Sequence, residues 1–255
     1  MLRQLHTAAR RRLSAALRLL LPLLILTPAS PDAWAAKPLT PYRAEYKVRI
    51  SILSGRLMTE FRRTDGGYMA RSVIEPAGLA NVLFNGTIEE SSRFLAEDRG
   101  VVPEHYRSVD TITRDNKVMN FEFDWERREI AGTINEESYV IPLDGVVHDR
   151  VSIQFELMHN LLNDIESSHY TLLNDEELRP IVVTTIGTKK VRVPYGEFEA
   201  IGIQHSTEGK SRVSTLWCVE SLGYLPVIIE QYRDGKLRVR AVLRDYQALA
   251  ETAAR

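Results

Sequence analysis

The sequence predicts a mainly β protein. It reads as one domain, a strongly curved antiparallel sheet (barrel or half-barrel) with one main α-helix packed on it. Three observations carry this. Apolar and polar residues alternate with period two in many segments. Gly, Asp and Asn turns separate those segments at short spacing. A single segment shows a wide apolar stripe at helical spacing. Many short strands with one helix fit a sheet curved on itself.

The elements follow in order. In residues 42–50, Tyr42, Ala44, Tyr46, Val48 and Ile50 share one face, and Arg43, Glu45, Lys47 and Arg49 take the other. That is a strand with one wet face. Gly55 is read as a turn into a strand over 56–63, and Asp65-Gly66-Gly67 as a turn into one over 68–75. Residues 76–85 break the rhythm, as one helical turn or a loop tucked into the sheet. Strands follow at 87–95, 105–113 and 117–125, with a turn at Asp115-Asn116, and shorter ones at 130–134 and 138–143.

Asp149 is placed to cap a helix over 150–163, since its carboxylate can accept the free amide hydrogens of the first turn. Val151, Phe155, Met158 and Leu162 stack on one side. Ser152, Glu156, His159, Asn160 and Asn163 form the side read as polar. So wide an apolar face calls for a sheet beneath it, or an open barrel end to close. Strands resume at 170–173, 179–185, 189–193, 198–205, 212–219, 225–232 and 236–246. Turns are read at Gly187, Tyr195-Gly196, Glu208-Gly209-Lys210 and Asp234-Gly235. In the last strand Leu237, Val239, Ala241 and Leu243 read as inward, and Arg238, Arg240 and Arg244 as outward.

The first 35 residues read as a secretory signal peptide. Arg3, Arg10, Arg11, Arg12 and Arg18 make a basic region, residues 19–26 an aliphatic one, and Ala33-Trp34-Ala35 a small-x-small cleavage pattern. The aliphatic run is too short to span a bilayer. No Cys follows the cleavage pattern, so no lipid anchor is expected there. The organisation expected is a signal peptide at 1–35, a leader at 36–41, a β domain at 42–247 and a tail at 248–255. The mature chain is expected in the periplasm, without stable membrane insertion.

Without residues 1–35 the chain has 28 basic and 33 acidic residues, a net charge of −5. That argues against a nucleic-acid partner, which needs clustered positive charge. The single Cys, Cys218, excludes an intrachain disulfide and reads as a small buried apolar residue of a strand.

Catalytic motifs are scarce. There is no Gly-x-Ser-x-Gly elbow, phosphate loop or dinucleotide fingerprint, and the His residues lack metal-ligand spacing. No cofactor or metal is expected. His148-Asp149 beside Ser152 is the most enzyme-like group and supports an alternative reading as a hydrolase. The simpler role for Asp149 is the helix cap. Glu89 and Glu90 point to opposite faces of a strand and cannot share a site. Phe121, Phe123, Trp125, Trp217 and Tyr224 are candidates to line a cavity for an apolar ligand inside the sheet, against the plainer reading that they fill the core. The Arg238, Arg240 and Arg244 stripe either meets an anionic surface or is an outer strand's wet face.

Several motifs together carry a family resemblance. They are Tyr42-Arg43-Ala44-Glu45-Tyr46, Pro103-Glu104-His105-Tyr106, and Asn120-Phe121-Glu122-Phe123-Asp124-Trp125. Asp149-Arg150-Val151-Ser152 follows, then Val193-Pro194-Tyr195-Gly196-Glu197-Phe198-Glu199-Ala200, and Trp217-Cys218-Val219-Glu220-Ser221-Leu222-Gly223-Tyr224-Leu225-Pro226-Val227. In this order they resemble the DUF3108 family of exported bacterial proteins of unknown function. The resemblance implies a β-rich periplasmic protein and supplies no catalytic residues. The expected function is a non-catalytic binding or envelope-maintenance module, holding a lipid or other apolar ligand or meeting an envelope protein. The other alternative is a scaffold binding a partner through a sheet edge.

Overall fold

The computed structural model describes residues 36–112, 116–207 and 211–250. The expected signal peptide and the turn at 208–210 lie outside the described residues, as does Asp115 of the expected turn at 115–116. Among the described residues fifteen strands form one sheet. They are β1 (Tyr42–Ile50), β2 (Leu53–Thr64), β3 (Gly67–Ala77), β4 (Ile88–Glu97), β5 (Gly100–Asp110), β6 (Val118–Asp124), β7 (Glu129–Ile134) and β8 (Glu137–Pro142). Then come β9 (Val147–His148), β10 (His169–Asn174), β11 (Glu177–Val193), β12 (Gly196–Thr207), β13 (Arg212–Val219), β14 (Leu225–Arg233) and β15 (Lys236–Ala248). A helical turn, α1 (Ala80–Leu83), links β3 to β4, and α2 (Ser152–Leu162) links β9 to β10.

The sheet order runs β8-β7-β6-β5-β4-β3-β2-β1-β15-β14-β13-β12-β11-β10-β9. Every pairing is antiparallel except β9 with β10. The two ends of this order, β8 and β9, are joined by only residues 143–146. So short a link forces the sheet to curl until its ends approach. β9 tucks against β5, and α2 packs on β4 and β5, which leaves one large, curved, unclosed sheet. This is the predicted fold class.

The open seam is fastened by charge. Just past β9, Arg150 reaches Asp175 at 2.7 Å and Glu90 at 3.6 Å, and Lys117 reaches Asp175 at 2.9 Å. Tyr106 donates a 2.7 Å hydrogen bond to the same Glu90. These groups draw β4, β5 and the start of β6 toward the β10–β11 turn. The neighbouring Arg150 and Lys117 hold the Asp175 carboxyl below its usual range, against the opposing effect of burial.

The core lies between α2 and the inner face. Phe155 of α2 sits 4.4 Å from the Phe61 ring, 5.1 Å from Phe94 and 6.4 Å from Tyr42, centre to centre. The Tyr46 hydroxyl reaches the Pro226 carbonyl at 3.0 Å, so this inward ring buries no orphaned donor.

The structure departs from the expected elements at specific points. Gly55 is no turn; it lies within β2, and the chain reverses at Ser51, which takes φ 56°. A Cβ on Gly55 would stand 2.9 Å from the Glu75 carbonyl, so this glycine serves close strand approach. β5 begins at Gly100, five residues earlier than expected. It passes through Pro103 at a register shift, where a missing N–H is tolerated. Gly187 is a bulge, so the strands expected at 179–185 and 189–193 are one strand, β11. Of the two readings of residues 76–85 the helical turn is the one formed, at Ala80–Leu83, with Leu79, Val82 and Leu83 exposed. In β15, Ala241 and Leu243 are buried as expected, whereas Leu237 lies at the exposed strand start.

The leader is docked. Leu39 is buried, the Lys37 N–H donates to Asn163 Oδ1 at 2.6 Å, and Asn163 Nδ2 donates back to the Lys37 carbonyl. The largest correction concerns α2. Its supposed polar side is not wet, for Ser152, Glu156, His159 and Asn160 are all buried. The helix sits inside the curl of the sheet. Ser152, Glu156 and the Asn160 amide nitrogen find hydrogen-bond partners there, while His159 Nε2 and Asn160 Oδ1 are buried without one.

Candidate functional site

The His148, Asp149 and Ser152 group lies where β9 enters α2, and all three residues are buried. Asp149 Oδ1 accepts the N–H groups of Val151 at 2.8 Å and Ser152 at 2.9 Å. Its Oδ2 accepts the Ser92 hydroxyl of β4 at 2.6 Å. Ser152 Oγ accepts the Asp149 N–H at 2.9 Å. The pair therefore caps the helix reciprocally, as the sequence predicted for Asp149. Burial raises the Asp149 carboxyl, and the hydrogen bonds from Ser92, Ser152 and Val151 oppose that rise. His148 Nδ1 has no partner, and burial takes this imidazole down to about 4. A serine nucleophile needs a base within reach and an open face toward substrate. This Ser152 faces its own cap.

Further along α2, Glu156 Oε2 accepts the Val101 N–H at 2.7 Å. Its Oε1 accepts Asn160 Nδ2 at 2.9 Å, and that amide also donates to the Tyr170 hydroxyl at 3.0 Å. A Cβ on Gly100, which has φ 131°, would meet Glu156 Oε2 at 2.7 Å. Gly100 thus makes room for the carboxylate that binds the helix to β5. Sequence reasoning missed this contact. Its only trace was a Glu and an Asn spaced four apart on a helix with too few wet positions.

The aromatic candidates fall into two groups. Phe121, Phe123 and Trp125 lie on or just after β6; the last two rings stack at 6.2 Å, and Trp125 Nε1 donates to the Pro103 carbonyl at 2.7 Å. Trp217 is on β13, with Lys189 Nζ 3.5 Å from its ring centre, and Tyr224 follows in the next turn. Seven strands lie between β6 and β13 in the sheet order. Phe121, Phe123 and Trp217 belong to one buried core, against which Trp125 and Tyr224 pack. Cys218 is buried too, and its thiol is pushed up to about 12 by burial, which removes it as a nucleophile.

Two grooves stand out on the surface, both open to solvent. The larger, about 880 Å³, runs along β1–β3 beside α1 and reaches the β11–β12 turn. Pro76, Phe84 and Pro194 supply its apolar lining. The Arg56–Glu75 and Arg244–Glu45 ion pairs border it at 2.7 and 3.1 Å. The smaller, about 350 Å³, lies over β1–β3 around Arg43, Glu60 and Arg71. Among the described residues there is no cluster of His, Cys, Asp and Glu able to hold a metal, and no helix long and apolar enough to cross a membrane.

This architecture has solved relatives. A beta-barrel-like protein of domain of unknown function DUF1849 from Brucella abortus aligns with a TM-score of 0.55 at 12% identity, covering 84% of this chain and 99% of its own. A protein with a YmcC-like fold from Bacteroides fragilis aligns over 84% of this chain and 98% of its own, also at 12% identity, with a TM-score of 0.35. At such identity the first likeness speaks for the fold alone, and the second carries no weight. No curated protein matches the chain. The family model described as "Protein of unknown function (DUF3108)" matches residues 41–242. With its motifs matched across most of its length, the chain belongs to the DUF3108 family.

Proposed function

We propose that this protein is exported and works in the cell envelope as a non-catalytic binding module for an acyl chain or another elongated apolar group. One observation carries the reading. Asp149 and Ser152 are committed to capping α2, while an open groove of about 880 Å³ sets Pro76, Phe84 and Pro194 between charged borders. That pairing suits an extended apolar chain with a polar end. A groove site needs no displacement of α2, whereas a site among Phe121, Phe123, Trp125, Trp217 and Tyr224 requires the core to open. Export rests on the basic, aliphatic and small-residue order of residues 1–35.

A second reading has one observation in its favour. β8 is an edge strand paired only with β7, and Val140 on it is exposed. A partner strand could add there. The edge is short and ends in Pro142, features that limit strand addition.

Native mass spectrometry of the protein recovered from its own cells tests the main reading twice. The mass is expected to correspond to a chain starting at Ala36. An uncleaved chain held in the inner membrane overturns export. The spectrum is also expected to show co-purifying lipid, and Ala77→Trp, which fills the groove, is expected to lower the bound fraction severalfold at unchanged Tm. A uniformly unliganded mass overturns the ligand.

A further inference from the structure

Strand direction gathers several exposed features at one end of the sheet. β1 and β2 are antiparallel, as are β2 and β3, so the β1–β2 turn and the β3–β4 connection share an end. Ile50 opposes Val239, which brings the β14–β15 turn alongside them. At this end Ile52 is 93% exposed, Leu79 84%, Val82 80% and Leu83 69%. The segment 76–88, which carries three of them, contains no charged residue. Large apolar side chains displayed this fully and this close together exceed the scattered exposure of an ordinary surface.

Beside this apolar lip the charge is positive. Lys47 lies directly opposite Arg56, and Arg49 directly opposite Arg240. Like charges in direct cross-strand register destabilise a sheet. Arg56 and Arg240 have acidic partners in Glu75 and Glu230. The exposed Lys47, Arg49, Lys236 and Arg238 make no ion pair among the described residues. Asp234, in the β14–β15 turn, is the acidic residue set among them. The mature chain as a whole is acidic, so this basic cluster runs against its net charge.

Apolar tips flanked by unpaired cations match the interface of an anionic bilayer. The tips enter the acyl boundary while the cations meet phosphate. We infer that this end of the sheet, the β1–β2 turn and α1 with the cations of β1 and β15, docks on an anionic phospholipid surface. Gly78, Asn81 and Phe84 of the lip segment also line the 880 Å³ groove, so docking sets the mouth of the groove against the bilayer. The inference does not depend on the groove holding a ligand.

Vesicle co-sedimentation tests it, with the chain from Ala36 on, which holds all fifteen strands and the core. The protein is expected to pellet with phosphatidylcholine vesicles containing phosphatidylglycerol, to bind pure phosphatidylcholine far less, and to be released by salt. Two double variants separate the components: Leu79→Glu with Val82→Glu, and Arg49→Glu with Arg238→Glu. All four positions are exposed, so the melting temperature is expected to hold. Each pair is expected to weaken binding about tenfold or more. Unbound wild-type protein on anionic vesicles overturns the inference, as does wild-type binding by both variants. Co-purifying lipid is read from a different experiment, so either proposal can fail alone.

Discussion

Replacing Phe155 by Ala is expected to destabilise the protein by roughly 3–5 kcal/mol, the range for a buried Phe truncated to Ala. The side chain is 1% exposed and stands at the centre of the aromatic cluster formed by Tyr42, Phe61 and Phe94. Those residues come from β1, β2 and β4, so one ring joins the helix to three strands. Its removal loses transfer free energy and leaves a cavity that stiff neighbouring rings cannot collapse into. At about 2–4 °C per kcal/mol for a domain of this size, Tm should fall by roughly 6–20 °C. Phe155→Leu, which keeps most of the volume, should lose much less, and Phe84→Ala at the exposed lip less still. Urea unfolding followed by tryptophan fluorescence reads all three. A loss below about 1 kcal/mol for Phe155→Ala would show that α2 is not packed as described. The same variant bears on the ligand proposal. If lipid occupancy is unchanged while stability falls, the groove and not the interior holds the chain.

The order of strands was readable because alternation is a local signal. β1 is the clearest case: Tyr42, Ala44, Tyr46 and Val48, four of the five apolar alternates named from sequence, are buried, and Ile50 at the strand end is exposed. The Asp149 cap was readable for the same reason, since a cap is made within three residues. Gly55 and Gly187 misled because glycine marks turns, bulges and close strand contacts alike. Only the partner strand decides between them, as the Glu75 carbonyl does at Gly55. The polar side of α2 was misread for a related reason. Glu156 and Asn160 look solvated on a helical wheel, and only the long-range pairing with Val101 and Tyr170 makes their burial affordable. The groove was not legible, because it joins β1–β3 to a turn more than a hundred residues away. The aromatic candidates were identified by residue type. Their separation around the sheet depends on strand order, which periodicity does not encode.

Acid is expected to weaken the fold through His148. The ring is 2% exposed, its Nδ1 has no partner, and burial lowers its pKa to about 4 from the ordinary value near 6.5. The nearest carboxyl along the chain, Asp149, is engaged by Ser92, Val151 and Ser152 and forms no hydrogen bond with the imidazole. In the unfolded chain the imidazole takes a proton below about pH 6.5, while in the folded chain it stays neutral down to about 4. The unfolded state therefore binds more protons between those values, and stability falls as pH falls. Above pH 6.5 the contribution is fully present. The loss is about 1.4 kcal/mol per pH unit, or about 2 kcal/mol by pH 5 and about 3 kcal/mol by pH 4. His205, also lowered to about 4 mainly by burial, adds a loss of the same sign. It is less enclosed than His148, so its share is smaller. His148→Phe removes the proton site and deprives no hydrogen-bond partner. Urea unfolding at pH 7.5 and at pH 5 measures both proteins. The variant should match the wild type within about 1 kcal/mol at pH 7.5 and lose about 2 kcal/mol less on going to pH 5. Equal losses in the two proteins would mean that His148 is protonated in the native state, and that the entry to α2 is open to water.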